Sequence, residues 1–183
     1  MNRLSIDSPA PDLTLFDRDG KETTLASQWQ QGPILLNFLR HFGCTFCRQS
    51  LARLENHRDE LAAAGLQVIN IAMGEPKHIK RYCGNLAPNL DCLGRTDDQI
   101  YRAYGLREGQ LNELANINVA KSAMGEFLRG NIGGVPSGNM RMMPGTFIID
   151  RDGSIAYTYY SEDIADHPSI DELLKAAKNL QER

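Results

Sequence analysis

NFLRHFGCTFCRQSL, residues 37–51, places two cysteines three positions apart where an apolar run gives way to a helical pattern. Just upstream, PILLNFL (Pro33 to Leu39) is a continuous apolar run broken by one Asn, the pattern of a strand buried on both faces. Downstream, CTFCRQSLARLENHRDELAAAG spaces Leu51, Leu54, Arg58 and Leu61 by threes and fours, the face of an amphipathic helix, and Gly65 suits its C-cap. The spacing therefore predicts strand, loop and helix. Cys44 falls at the helix N-cap or first turn and Cys47 one turn later on the same side.

Two cysteines so spaced read as a redox pair, half of a zinc site, or two packed thiols. The free N–H groups and partial positive charge of a helix N-terminus favour a thiolate. Arg40, His41 and Arg48 add cationic or proton-accepting groups nearby. A thiol in such surroundings can fall from a pKa of about 8.5 to between roughly 3.5 and 7.5. A structural zinc site needs four ligands, usually as two pairs. Cys83 and Cys92 are a poor second pair and His57 and His78 are isolated, so they read as buried thiols and solvated histidines. No metal is expected. Packed thiols fit less well, because a loop between strand and helix should be exposed. The redox reading is the best of the three, with either distant cysteine held in reserve as a resolving thiol.

The other segments agree. DLTLFDRDGKETTLAS reads as two short strands around Asp19-Gly20. LQVINIAM is a second buried strand, followed by a helix over about 76–82, a strand in DCLGRTD and a short helix in DDQIYRAYG. Residues 110–129 are helical in composition, and 130–143 read as a Gly-rich loop. GTFIIDRDGSIAYTYY is a hairpin, and SIDELLKAAKNLQER a closing helix with Ser169 as N-cap and Ile170, Leu173, Leu174 and Ala177 inward. Strands alternating with helices predict an α/β fold in one domain, 1–183. Its central mixed sheet is flanked by helices, with a helical and loop insertion before the last hairpin. In such sheets reactive groups gather at the carboxyl ends of strands, where residues 40–47 lie.

Composition sets the outer limits. Of 183 residues, 42% are hydrophobic and 23% charged, ordinary globular usage. The net charge is −3 without a Lys/Arg run, which gives no nucleic-acid footprint. No signal-like or membrane-length apolar stretch occurs, so the expectation is a soluble, cytoplasmic chain with no membrane partner, where thiols stay reduced. Met143-Pro144 is the other informative site. Proline is excluded from mid-sheet, so it marks a strand start, in trans, or a cis bond facing the cysteines.

In this order the segments resemble the thioredoxin superfamily, and within it the AhpC/TSA, peroxiredoxin-like branch. Phe-Leu-Arg-x-Phe-Gly-Cys-x-x-Cys-Arg is similar to the peroxiredoxin-like 2 subgroup, which includes prostamide/prostaglandin F synthase-like proteins. The resemblance covers most of the chain. It implies a thioredoxin-like fold and an oxidoreductase in which Cys44 and Cys47 are the redox pair; His41, three residues before Cys44, is placed to assist proton transfer or hold the thiolate. It also implies a cis Pro144, leaving the Met143 backbone open to substrate. The peroxide-binding Arg that peroxiredoxins carry before the last strand is not kept, since Pro144 stands at its place, and Arg141 close by is the candidate for that contact. A peroxide or disulfide substrate and an external thiol reductant of thioredoxin or glutathione type follow, with no bound cofactor, and a homodimer is allowed. The Pro-x-x-x-Thr-x-x-Cys signature of peroxiredoxins is not kept. Counting back from Cys44 gives Asn37 and His41, and from Cys47 gives Arg40 and Cys44. That departure implies dithiol–disulfide exchange, or slower peroxide reduction, by the same pair.

Overall fold

The computed structural model describes residues 2–114 and 138–182. Seven strands form one mixed sheet in the order β2-β1-β5-β4-β3-β6-β7. The strands are β1 (Thr14–Phe16), β2 (Glu22–Thr24), β3 (Ile34–Phe38), β4 (Gln67–Met73), β5 (Asp91–Arg95), β6 (Gly145–Ile149) and β7 (Ile155–Tyr160). β3, β4 and β5 run parallel, while β6 pairs antiparallel with β3 and with β7. This is the predicted thioredoxin-like α/β sheet. The chain reaches β3 through α1 (Leu25–Trp29), a short helix absent from the sequence reading.

Helices α2 (Thr45–Asn56), α3 (Arg58–Ala63), α4 (Pro76–Leu86), α5 (Gln99–Ala103), α6 (Leu111–Leu114) and α7 (Ile170–Gln181) complete the described residues. The expected insertion falls mostly on residues 115–137, outside those described, leaving α6 and residues 138–143 within them. Ser169 caps α7 as expected: its hydroxyl accepts from Glu172 N–H while the Glu172 carboxylate returns to Ser169 N–H. The single helix expected through Gly65 is instead two. His57 leaves the helical region (φ −109°, ψ 15°), ends α2 and starts α3. The offset turns the Arg58 side chain to the surface, where it pairs with Glu55 and Asp59. Gly65 does close α3, at φ +82°.

Side chains alternate across the sheet into two apolar layers. Ile34, Leu36, Phe38, Phe147 and Ile149 pack with Leu25, Trp29 and Tyr101 on one face. Leu35, Leu39 and Ile148 pack with Leu51, Leu54, Ile79 and Leu173 on the other. Burial on both faces is why β3 and β4 read as continuous apolar runs. The exception is a matched pair: Asn37 and Asn70, side by side in β3 and β4, are buried, and Asn37 Nδ2 donates to Asn70 Oδ1 at 2.8 Å.

Two expectations are corrected. Cys83, in the last turn of α4, is disulfide-bonded to Cys92, the second residue of β5, with Cα atoms 6.5 Å apart. The turn between them folds the helix end onto the strand, so a separation of nine said little about distance. Pro144 is trans, since there is no cis peptide among the described residues. The backbone before it is also occupied: Met143 N–H donates to Arg107 C=O at 2.9 Å and Gly109 N–H to Arg141 C=O at 2.7 Å. The segment 107–109 has taken the edge that a cis proline would have left open to substrate.

Candidate active site

β3 delivers the chain to Leu39, and the turn 40–43 delivers it to α2. Cys44 N–H donates to His41 C=O at 3.1 Å, closing the turn, and Phe42 stacks on Tyr82 with centroids 4.9 Å apart. Cys44 is the N-cap of α2, as the spacing predicts, and Cys47 lies within its first turn. Both are free thiols and both are buried, where the loop was expected to be exposed. The guanidinium of Arg40 covers them.

Arg40 makes four contacts. Its backbone N–H donates to Cys47 Sγ at 3.2 Å and its Nη1 to Cys44 Sγ at 3.5 Å. Its Nε donates to Met142 C=O at 3.1 Å and its Nη2 to Met140 C=O. The carbonyls of Met140 and Met142 thus hold the guanidinium fork against Cys44, while the Arg40 backbone serves Cys47. Arg40 is a neighbour in the sequence reading and the central cation in the structure. Its signal was its position, two residues past the buried strand β3.

This arrangement separates the two thiols. The Cys44 pKa is lowered to about 6. The hydrogen bond from the Cys47 thiol does most, burial opposes it, and the charge of Arg40 and the Cys47 backbone N–H add to the lowering. The Cys47 thiol is pushed up, chiefly by its complete burial, then by its bond to Cys44 and the negative charge there. One thiol is therefore ionised at neutral pH while its partner holds a proton.

His41 is buried with Nδ1 unpartnered, and burial first, then the charge of Arg40, lowers its pKa to about 4. It is a neutral imidazole at pH 7. Met143 lies in the apolar layer that also holds Cys44 and Cys47. With Pro144 it lines a hollow of about 150 Å³ shared with Arg3, Arg107, Tyr160 and Ser161, to which neither cysteine contributes. Arg141 is at the surface, its Nε 3.6 Å from Glu108 Oε2. The structure thus brings Cys44, Cys47 and His41 together at one turn, places Met143 in the same apolar layer, and leaves Arg141 paired with Glu108 at the surface. Arg48 lines a separate groove of about 280 Å³ along α2, with Thr45, Gln49 and Arg53. Among the described residues no three His, Cys, Asp or Glu side chains gather to hold a metal ion, and no helix is long and apolar enough to cross a membrane.

The AhpC/TSA family model matches residues 6–158. The prostamide/prostaglandin F synthase of Danio rerio is 26% identical over 166 residues, which span 86% of this chain and 80% of that protein. Peroxiredoxin Bcp of Escherichia coli (strain K12) is 25% identical over 170 residues, 93% of this chain and 94% of that one. Among solved structures, peroxidoxin BcpB of Mycobacterium tuberculosis superposes with a TM-score of 0.73 at 16% identity, covering 97% and 99% of the two chains.

Proposed function

The chain belongs to the AhpC/TSA family and is a peroxiredoxin-like oxidoreductase, and from that premise we propose that Cys44 attacks the substrate and Cys47 resolves the product. The observation that carries this reading is the asymmetry of the pair: Arg40 Nη1 sits 3.5 Å from Cys44 Sγ, while Cys47 lies fully buried behind it. The Cys44 thiolate attacks one oxygen of a hydroperoxide. The O–O bond breaks, the alkoxide or hydroxide leaves and takes a proton, and Cys44 becomes a sulfenic acid. Arg40 holds the negative charge as it moves from sulfur to oxygen. Cys47 then attacks the Cys44 sulfur, giving the disulfide and water. An external dithiol, or two glutathione-type thiols, returns both cysteines to thiols and is itself oxidised. His41, being neutral, accepts a proton during these transfers and lends no charge to the thiolate.

The test counts free thiols before and after one equivalent of hydrogen peroxide and maps the new disulfide. A Cys44–Cys47 disulfide in the wild type, absent in Cys44→Ser, is expected. The reading fails if no such disulfide forms and Cys44→Ser keeps full peroxidase and insulin-reducing activity. Side-by-side rates with hydrogen peroxide, an organic hydroperoxide, a lipid endoperoxide and a protein disulfide identify the preferred substrate.

A further inference from the structure

Tyr101 lies outside the thiol site by sequence, on α5, yet its hydroxyl ends at the peptide that faces Cys47. The side chain is fully buried and its ring meets Phe38 edge-on, with centroids 5.2 Å apart. Packing thus aims the hydroxyl at the end of β3. It lies 2.6 Å from Leu39 C=O and 3.1 Å from Ile71 C=O. A hydroxyl has one proton, and the Leu39 oxygen is nearer. The Ile71 carbonyl already accepts from Leu39 N–H at 2.9 Å.

The Leu39 carbonyl and the Arg40 N–H belong to one peptide group. That N–H donates to Cys47 Sγ at 3.2 Å. A chain of donors therefore runs from the Tyr101 hydroxyl, across the 39–40 peptide, and into sulfur. A proton placed on the carbonyl side of an amide draws electron density from its N–H and makes it a better donor. It also fixes the peptide plane, so that the N–H keeps its aim.

We propose that Tyr101 is a positioning residue for the resolving thiol: by holding and polarising the 39–40 peptide it stabilises the Cys47 thiolate. In the resolution step this is the form that attacks Cys44, at the moment when Cys44 has become a neutral sulfenic acid. The role in resolution rests on the function proposed above. The effect on the Cys47 thiolate does not.

The experiment therefore starts in a Cys44→Ser background, where Cys47 is the one titrating thiol beside the Cys83–Cys92 disulfide. Its ionisation is followed by the rate of iodoacetamide alkylation against pH, with Tyr101→Phe added. Tyr104→Phe is the control, since that tyrosine is as deeply buried but donates to Pro11 C=O at 3.1 Å, away from the thiols. Tyr101→Phe is expected to lower the Cys47 ionisation constant about two- to fourfold, the share of a charge-assisted bond that one cooperative neighbour supplies. Tyr104→Phe leaves it unchanged. Difluorotyrosine at position 101 keeps the fold and donates more strongly, so it moves the constant the other way. The proposal is overturned if Tyr101→Phe and difluorotyrosine leave the constant where it was, or if Tyr104→Phe shifts it as much as Tyr101→Phe. In the chain with Cys44 restored, dimedone trapping after peroxide should capture about 1.4- to 2.3-fold more sulfenic acid in Tyr101→Phe, because the scarcer Cys47 thiolate is partly offset by its greater reactivity. The titration needs no peroxide, so it decides the role of Tyr101 whether or not the wild type closes its disulfide.

Discussion

Replacing Arg40 by methionine removes the charge above Cys44 while keeping a linear apolar stem. The Cys44 pKa stands at about 6 against an ordinary 9.0, roughly 4 kcal/mol in favour of the thiolate at 1.36 kcal/mol per unit. Cys47 supplies the largest part and Arg40 acts both as a charge and as a donor. A charge-assisted hydrogen bond contributes about 1.5–3 kcal/mol, so Arg40→Met should raise the midpoint by about one to two units. The rate at pH 7 would hide this. With a rise of two units the thiolate is about tenfold scarcer at pH 7. At a Brønsted slope of 0.4–0.5 each remaining thiolate is about eightfold more reactive, and the two nearly cancel. The same arithmetic makes the variant about tenfold slower at pH 5 and about eightfold faster at pH 9. The assay is iodoacetamide alkylation of Cys44 across that range, with far-UV circular dichroism as a folding check, because Met140 and Met142 lose a donor. Arg40→Lys, which keeps charge without the fork, should fall between the two curves. A midpoint that stays at 6 in a folded Arg40→Met protein refutes the assignment.

Cys47→Ala removes the largest lowering contribution and should move the Cys44 midpoint upward further than Arg40→Met does, read by the same alkylation curve. The double variant Cys83→Ala/Cys92→Ala frees a closed loop of nine residues. It should lose about 2–3 kcal/mol in urea unfolding while the Cys44 midpoint stays put. His41 and His167 are both held near 4, mainly by burial, below the 6.5 of an open chain. The unfolded chain therefore binds more protons between those values. The share of stability these two histidines leave intact above pH 6.5 should decline as pH falls toward 4, and His167→Gln should flatten the slope between pH 6.5 and 4 in urea titrations. Ser169→Ala, which breaks the capping box of α7, should cost about 1 kcal/mol in thermal unfolding without touching peroxide turnover.

The elements with strong periodicity were legible. β3, β4, the hairpin of β6 and β7, and α7 all stand where apolar spacing and turn residues put them, because those signals are local. Cys44 at the N-cap follows from the same logic. What failed required partners distant in sequence. Nothing near Pro144 announces that 107–109 will bind the backbone before it. Nothing between Cys83 and Cys92 states that helix end and strand meet. Cys44 and Cys47 are buried in an apolar layer built from residues across the chain, and Arg40 is held against Cys44 by the carbonyls of Met140 and Met142, a hundred positions away. Arg141 looked close by number, yet its side chain pairs with Glu108 at the surface. The α2–α3 break at His57 left no signal, since the apolar spacing continues through it.

The Asn37–Asn70 pair bears on where the chemistry ends up. An aliphatic strand between two aliphatic neighbours can slide, because one Ile or Leu fits its slot as well as the next. A shift of one residue would turn Asn37 to the opposite apolar layer, and a shift of two would slide it past Asn70. Each leaves amide groups buried without partners, at about 1–3 kcal/mol apiece. The two amides thus act as an alignment key in an otherwise featureless stack. β3 ends two residues before Arg40 and six before Cys44. What the key aligns is the height at which the thiols emerge from the sheet, matched against the carbonyls of Met140 and Met142 that receive the guanidinium.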